Sequence, residues 1–136
     1  MNAEQIMLVQ SSWEEVEPLA GKLGELFYKR VFELDPSIKE LFPDDPRLQG
    51  EILMSMFGGA VEMLFNLDTL EPSVRDLGRR HRAYGSKPEH YQTFRTALLW
   101  TLERVLGEAF TPEVRQAWEA VYDYLARTML EAQLSG

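Results

Sequence analysis

The 136-residue sequence has no cysteine. That removes a disulfide framework, a thiolate zinc site, an iron–sulfur cluster and a cysteine nucleophile at once, and it suits a reducing compartment. Histidine is nearly as scarce, with only His81 and His90. Two imidazoles are too few for a zinc site unless carboxylates complete it, and no HExxH or EF-hand spacing is present. Basic residues are outnumbered, 14 Lys and Arg against 22 Asp and Glu, giving a net charge of −8. Nucleic acid repels such a surface unless its cations cluster, and the nearest cluster is Arg79, Arg80 and Arg82 around His81; no nucleic-acid partner is expected. Long apolar runs are missing too. The longest, Ile52 to Phe65, is broken by Glu62 and falls short of the roughly 20 residues that span a bilayer. Glu4, Gln5, Gln10, Ser11 and Ser12 interrupt the start, so no signal peptide is expected. The expectation is a soluble, cytoplasmic protein without membrane contact, folded as a single domain over residues 1–136.

What is present is helical periodicity in a chain that is 45% hydrophobic. Ile6, Val9, Trp13 and Val16 recur at steps of three and four, one face of a helix. Pro18 follows, where one helix can end and another begin, and Leu19, Leu23, Leu26, Phe27 and Val31 carry the second to Leu34. Asp35-Pro36 punctuates, "SIKELF" reads as a short helical turn, and "PDDP" breaks it. A long helix is expected from about Arg47 to Phe65, then a loop "NLDTLEPSV" leading into a shorter helix that ends near Ala83. Gly85 stops it and Pro88 restarts the chain. Tyr91, Phe94, Leu98, Leu102 and Val105 line the next helix, which Gly107 ends. Thr111 is an N-cap candidate with Pro112 at the first helical position. Val114, Ala117, Val121, Leu125 and Met129 line the last helix. Period-two alternation is absent. The class is all-α, with six main helices and one short turn.

No phosphate-binding glycine loop and no GxSxG elbow is present. The segment "LGRRHRAYGSKPEHY", Leu77 to Tyr91, holds both histidines. One imidazole suffices if the metal brings its own equatorial ligands, since haem iron needs a single axial histidine and leaves its sixth position for a gas. The Leu77 carbonyl, one turn before His81, could accept Nδ1–H and leave Nε2 for iron. On these residues alone, a surface histidine among arginines is the commoner reading. His90, at a helix start, is expected to be exposed.

Over almost its whole length the chain resembles the globin family, in particular single-domain bacterial globins, the globin portion of flavohaemoglobins, and neuroglobin. "LGRRHRAYGSKPEHY" resembles the proximal segment, with His81 at the iron-binding histidine. "LDPSIKELF" resembles the turn whose proline is followed six residues later by a haem-packing phenylalanine, here Pro36 and Phe42. "LLWTLERVLGEAFTPEVRQAWEAVYDYLA" resembles the last two helices.

The resemblance implies a globin fold around haem b (iron protoporphyrin IX). It implies Tyr28 as the residue facing bound gas, Gln49 at the distal position where many relatives carry histidine, and Leu53 over the iron. Leu77 and Phe94 are expected to pack against haem, and Arg80 is a candidate partner for a propionate. Tyr91 matches the tyrosine that flavohaemoglobins place beside the proximal histidine. Those proteins also carry a glutamate late in the last helix, whereas Glu131 in "MLEAQLSG" is out of register. Gly24 and Gly50 match positions where two crossing helices meet. For Tyr28 the alternative is a plain core aromatic, and for Gln49 a solvated residue at a helix start. Trp13, Trp100 and Trp118 read as core or helix-contact residues. The implied function is reversible binding of dioxygen, nitric oxide and carbon monoxide. Nitric oxide dioxygenation supported by a separate electron-donating reductase is the implied chemistry, and oxygen storage or gas sensing without turnover is the alternative.

Overall fold

The computed structural model describes residues 1–41, 46–83 and 87–135, without the side chains of residues 46, 47, 49, 81–83 and 135. Phe42 lies outside the described residues. Six α-helices run through these segments: α1 (Ala3–Val16), α2 (Ala20–Leu34), α3 (Pro46–Glu62), α4 (Leu67–Ala83), α5 (His90–Leu106) and α6 (Pro112–Ser135). Short 3₁₀ turns occupy Glu17–Leu19, Pro36–Leu41 and Gly107–Ala109. No strand is present among the described residues. The all-α expectation is met.

Local chemistry explains the boundaries. Asn2 opens α1 with a capping box: its side chain accepts from the Gln5 N–H at 2.8 Å, and the Gln5 side chain accepts from the Asn2 N–H at 3.1 Å. Pro18 sits in the turn that links α1 to α2. The Asp35 carboxylate accepts from the Ser37 hydroxyl at 2.6 Å and its N–H at 3.1 Å, which turns the chain after α2. Gly107 takes φ +58°, in the left-handed region that glycine enters without strain, and α5 stops there. The expected cap of α6 is formed, with the Thr111 hydroxyl accepting from the Val114 N–H at 3.2 Å.

Two expectations need correction. The segment expected as the loop "NLDTLEPSV" is helical from Leu67 onward, with Pro72 inside α4. Leu70 and Val74 are buried there, with Leu67 packed against the core. Proline in a helix interior costs about 3 kcal/mol, and burial of these side chains, about 1.5–3 kcal/mol each, outweighs it. Asn66 completes the entry by accepting from the Thr69 hydroxyl at 3.1 Å and the Leu70 N–H at 3.1 Å. His90, expected to be exposed, is 5% accessible. Its Nδ1 accepts from the Lys87 N–H at 3.0 Å, closing the turn that starts α5.

The helices pack chiefly as α2 on α3, α4 on α6, α1 on α6 and α2 on α5. Where α2 crosses α3, Gly24 and Gly50 meet backbone to backbone: a Cβ at Gly24 would lie 2.6 Å from the Gly50 carbonyl oxygen. The expected close crossing is therefore present, and only glycine allows it. Trp13, Phe57 and Trp118 form an aromatic knot with ring centroids 5.6–6.4 Å apart. The Trp118 indole donates to the Ser12 hydroxyl at 2.9 Å. Trp100 is instead flanked by two cations, Arg30 at 4.8 Å and Arg104 at 4.4 Å from its ring centroid.

Candidate functional site

Five helices surround a cavity of about 180 Å³. Phe27 and Tyr28 come from α2, and Leu53, Met54, Met56, Phe57 and Ala60 from α3. Val74 and Leu77 come from α4, Tyr91, Phe94 and Leu98 from α5, and Tyr122, Leu125, Ala126 and Met129 from α6. Among these described residues, the only polar side-chain groups are the three phenols. Met56 lines the cavity yet is 45% exposed, and Ile52, one turn earlier, is 48% exposed. The cavity thus reaches the surface along α3. An apolar hollow with few polar groups and an open edge has the character of a ligand site. Its three methionines are side chains that can repack around an occupant.

The structure brings together five of the expected site residues, since Tyr28, Leu53, Leu77, Tyr91 and Phe94 all line this cavity. Tyr28 is 4% exposed and sits against Phe27 and Phe32, with centroids 5.2 and 5.9 Å away. Burial pushes its hydroxyl up to about 12, so the phenol stays protonated at neutral pH and can serve as a donor. Position 81 lies in α4 one turn beyond Leu77, in helical register with Val74 and Leu77. Gln49 lies in α3 beside Gly50 and one turn before Leu53. The side chains of His81 and Gln49 are outside the described residues. Arg80 stands apart, as its exposed guanidinium pairs with Asp76 at 2.8 Å and it does not line the cavity.

Tyr91 reveals a residue that sequence reasoning missed. Its hydroxyl donates to the Gln133 side-chain oxygen at 2.8 Å, and both groups are buried. The Tyr122 hydroxyl donates to the Tyr91 carbonyl at 2.6 Å. Burial raises the Tyr91 hydroxyl to about 12 and pushes that of Tyr122 up as well. Near the end of the last helix, the side chain that the Tyr91 hydroxyl meets is an amide. A signal was available: the apolar line Val114, Ala117, Val121, Leu125, Met129 reaches Gln133 four residues further on. A polar residue on a buried stripe calls for a partner.

No group of three or more His, Asp or Glu able to hold a bare metal ion occurs among the described residues. The residues present do fit a mostly apolar cofactor that needs one imidazole: an apolar cavity lined by five helices, three phenols in its wall, and a histidine in α4 one turn beyond Leu77. Among the described residues, fold and site thus define a helical protein built around an apolar cavity. The family model for globins matches residues 25–129, and the chain belongs to the globin family, whose members hold haem. It is 33% identical to an anaerobic nitrite reductase, HBII, of Casuarina glauca, across 90% of this chain and 86% of that one. It is 28% identical to a flavohemoprotein of Vibrio cholerae across 98% of this chain, but spans only 34% of that longer protein. Among solved structures, an engineered carbene transferase built on a Rhodothermus marinus protein taken to be a nitric oxide dioxygenase superposes with a TM-score of 0.88. That match has 23% identity and covers 98% of this chain and 94% of the other.

Proposed function

We propose that the protein holds haem b in this cavity, binds dioxygen, nitric oxide and carbon monoxide reversibly, and turns over nitric oxide to nitrate in the cytoplasm. The observation that carries the reading is the cavity itself, apolar but for its phenols, with position 81 in line with Val74 and Leu77. When bound, haem would supply iron that takes up the gas and the one electron that, with one nitric oxide and one dioxygen, balances to one nitrate. A separate reductase would return that electron.

The chain's own residues do the rest. His81 would hold the iron, and Leu53, Leu77 and Phe94 would exclude water from the two faces, with Phe42 added by the resemblance. Tyr28 would donate a hydrogen bond to the gas, and Gln49 would act as a second donor from the facing helix. Gln133 gives the Tyr91 hydroxyl a neutral acceptor. That holds α5 to α6 without a buried carboxylate at this point, which favours gas binding over peroxide-type chemistry.

Kinship to a nitrite reductase supports a second reading, reduction of nitrite by the same ferrous centre without oxygen. One experiment separates the two. Haem-loaded protein with an added flavin reductase is given nitric oxide in air, or nitrite under argon, and products are counted per haem. Many nitrates per haem in air is the expected outcome. Fewer than one per haem in air, with nitric oxide released from nitrite under argon, would select the second reading. No turnover in either arm would leave gas binding alone.

A further inference from the structure

Gly78 is buried where α4 meets α6. A Cβ built on it would fall against the Met129 carbonyl oxygen and 2.8 Å from both the carbonyl carbon and the Cα of Met129. These atoms are backbone in the middle of a helix, so they cannot swing aside as a side chain can. Any residue larger than glycine must push α4 away from α6. Two further facts connect this contact to the pocket. Met129 also lines the cavity, so the residue that seats α4 is part of the wall. Position 81 follows Gly78 by three residues on the same helix, less than one turn. Within so short a rigid segment, a displacement at 78 is delivered to 81 almost undiminished.

We propose that Gly78 is a positioning residue for the iron ligand: the missing side chain lets α4 rest on the Met129 backbone and so sets how far residue 81 stands from the cavity. The inference rests on the reading of His81 as that ligand, and its test separates the two. Haem-loaded, ferrous, gas-free protein is compared as wild type, Gly78→Ala, Gly59→Ala, His81→Gly with imidazole, and His81→Gly/Gly78→Ala with imidazole. The readouts are the iron–imidazole stretching band by resonance Raman and the rate of haem transfer to an acceptor. Gly59 is the control, because a Cβ there meets no described atom within 4 Å.

Gly78→Ala is expected to shift the band and speed haem loss by about tenfold, and Gly59→Ala to do neither. In the His81→Gly background the imidazole is no longer tethered to α4, so Gly78→Ala should leave the band unmoved. An unshifted band in folded Gly78→Ala, or a shift that persists with free imidazole, overturns the proposal. If Gly78→Ala retains no haem, recovery of haem in the double variant with imidazole supports it. Failure to recover, where His81→Gly does, overturns it. If His81→Gly keeps haem and its spectrum without imidazole, the ligand assignment fails and takes the proposal with it.

Discussion

Tyr28 is a phenol in an apolar wall, kept protonated by burial. A bound gas that gathers negative charge gains a charge-assisted hydrogen bond from it, about 1.5–3 kcal/mol, whereas carbon monoxide stays nearly neutral. Tyr28→Phe is therefore expected to speed dioxygen release about 10- to 100-fold and carbon monoxide release far less, measured by ligand replacement alongside Gln49→Leu and the double variant. A dioxygen off-rate within about twofold of wild type would return Tyr28 to a core aromatic. The histidines divide in the same way. His81→Ala is expected to lose haem unless imidazole is added. His90→Ala should keep haem yet unfold more easily by about 1–2 kcal/mol, because the Lys87 N–H loses its acceptor; haem loss from His90→Ala alone would reverse the assignment. At this scale the place of a residue in the cavity wall was readable where an apolar stripe or a matched spacing marks it, as at Tyr28, Leu53, Leu77 and Phe94. It was not readable where the partner comes from a distant element. The burial of His90 follows from a turn three residues back, and Gln133 matters only because α6 lays it against Tyr91, 42 residues away.

Among the elements, the helices were readable because their apolar residues recur at three and four, and the miss at α4 shows the limit of that reading. Pro72 and Asn66 are breaker signals locally, but the Leu67, Leu70, Val74, Leu77 stripe is what tertiary burial rewards, and burial prevails. Gly24 and Gly50 show the converse case, since a resemblance pointed to a close crossing that no propensity would favour. Gly24→Ala is expected to destabilise the protein by about 1–3 kcal/mol, because its Cβ meets the Gly50 backbone at 2.6–2.7 Å. Gly59→Ala, in the last turn of α3 with no described atom within 4 Å of the added Cβ, is expected to stabilise by about 0.5–1 kcal/mol. Urea unfolding of the two variants with unchanged m-values would check both signs. Equal effects would mean that the α2–α3 crossing relaxes freely and does not fix where α3 sits.

For the whole molecule, the three cavity phenols couple stability to alkaline pH. Tyr28 and Tyr91 are held near 12 by burial, and Tyr122 is raised by the same cause, while an unfolded tyrosine titrates near 10. A raised pKa means that the folded state keeps its proton after the unfolded chain has released it. The stabilisation is therefore complete below about pH 10 and drains away as pH climbs through about 12. A fully buried tyrosine contributes a slope of up to about 1.4 kcal/mol per pH unit within that window, so the three together remove at most about 4 kcal/mol per unit, and less to the extent that water screens Tyr91. Over the two units of the window that is at most about 8 kcal/mol, comparable with domain stabilities of roughly 5–15 kcal/mol, and the protein should unfold cooperatively in this range, with loss of helix accompanied by a step in phenolate absorbance. Tyr28→Phe deletes one of the three terms. Its stability should fall about one third less steeply between pH 10 and 12, measured as urea midpoints converted at constant m. The chain has five tyrosines, two of them not among the cavity phenols; should phenolate absorbance reach its full five-tyrosine value while helix content holds, the three cavity hydroxyls would be ionising in place. The cavity would then be wetter than its lining implies, and a dry pocket would no longer explain the strength of a Tyr28 hydrogen bond.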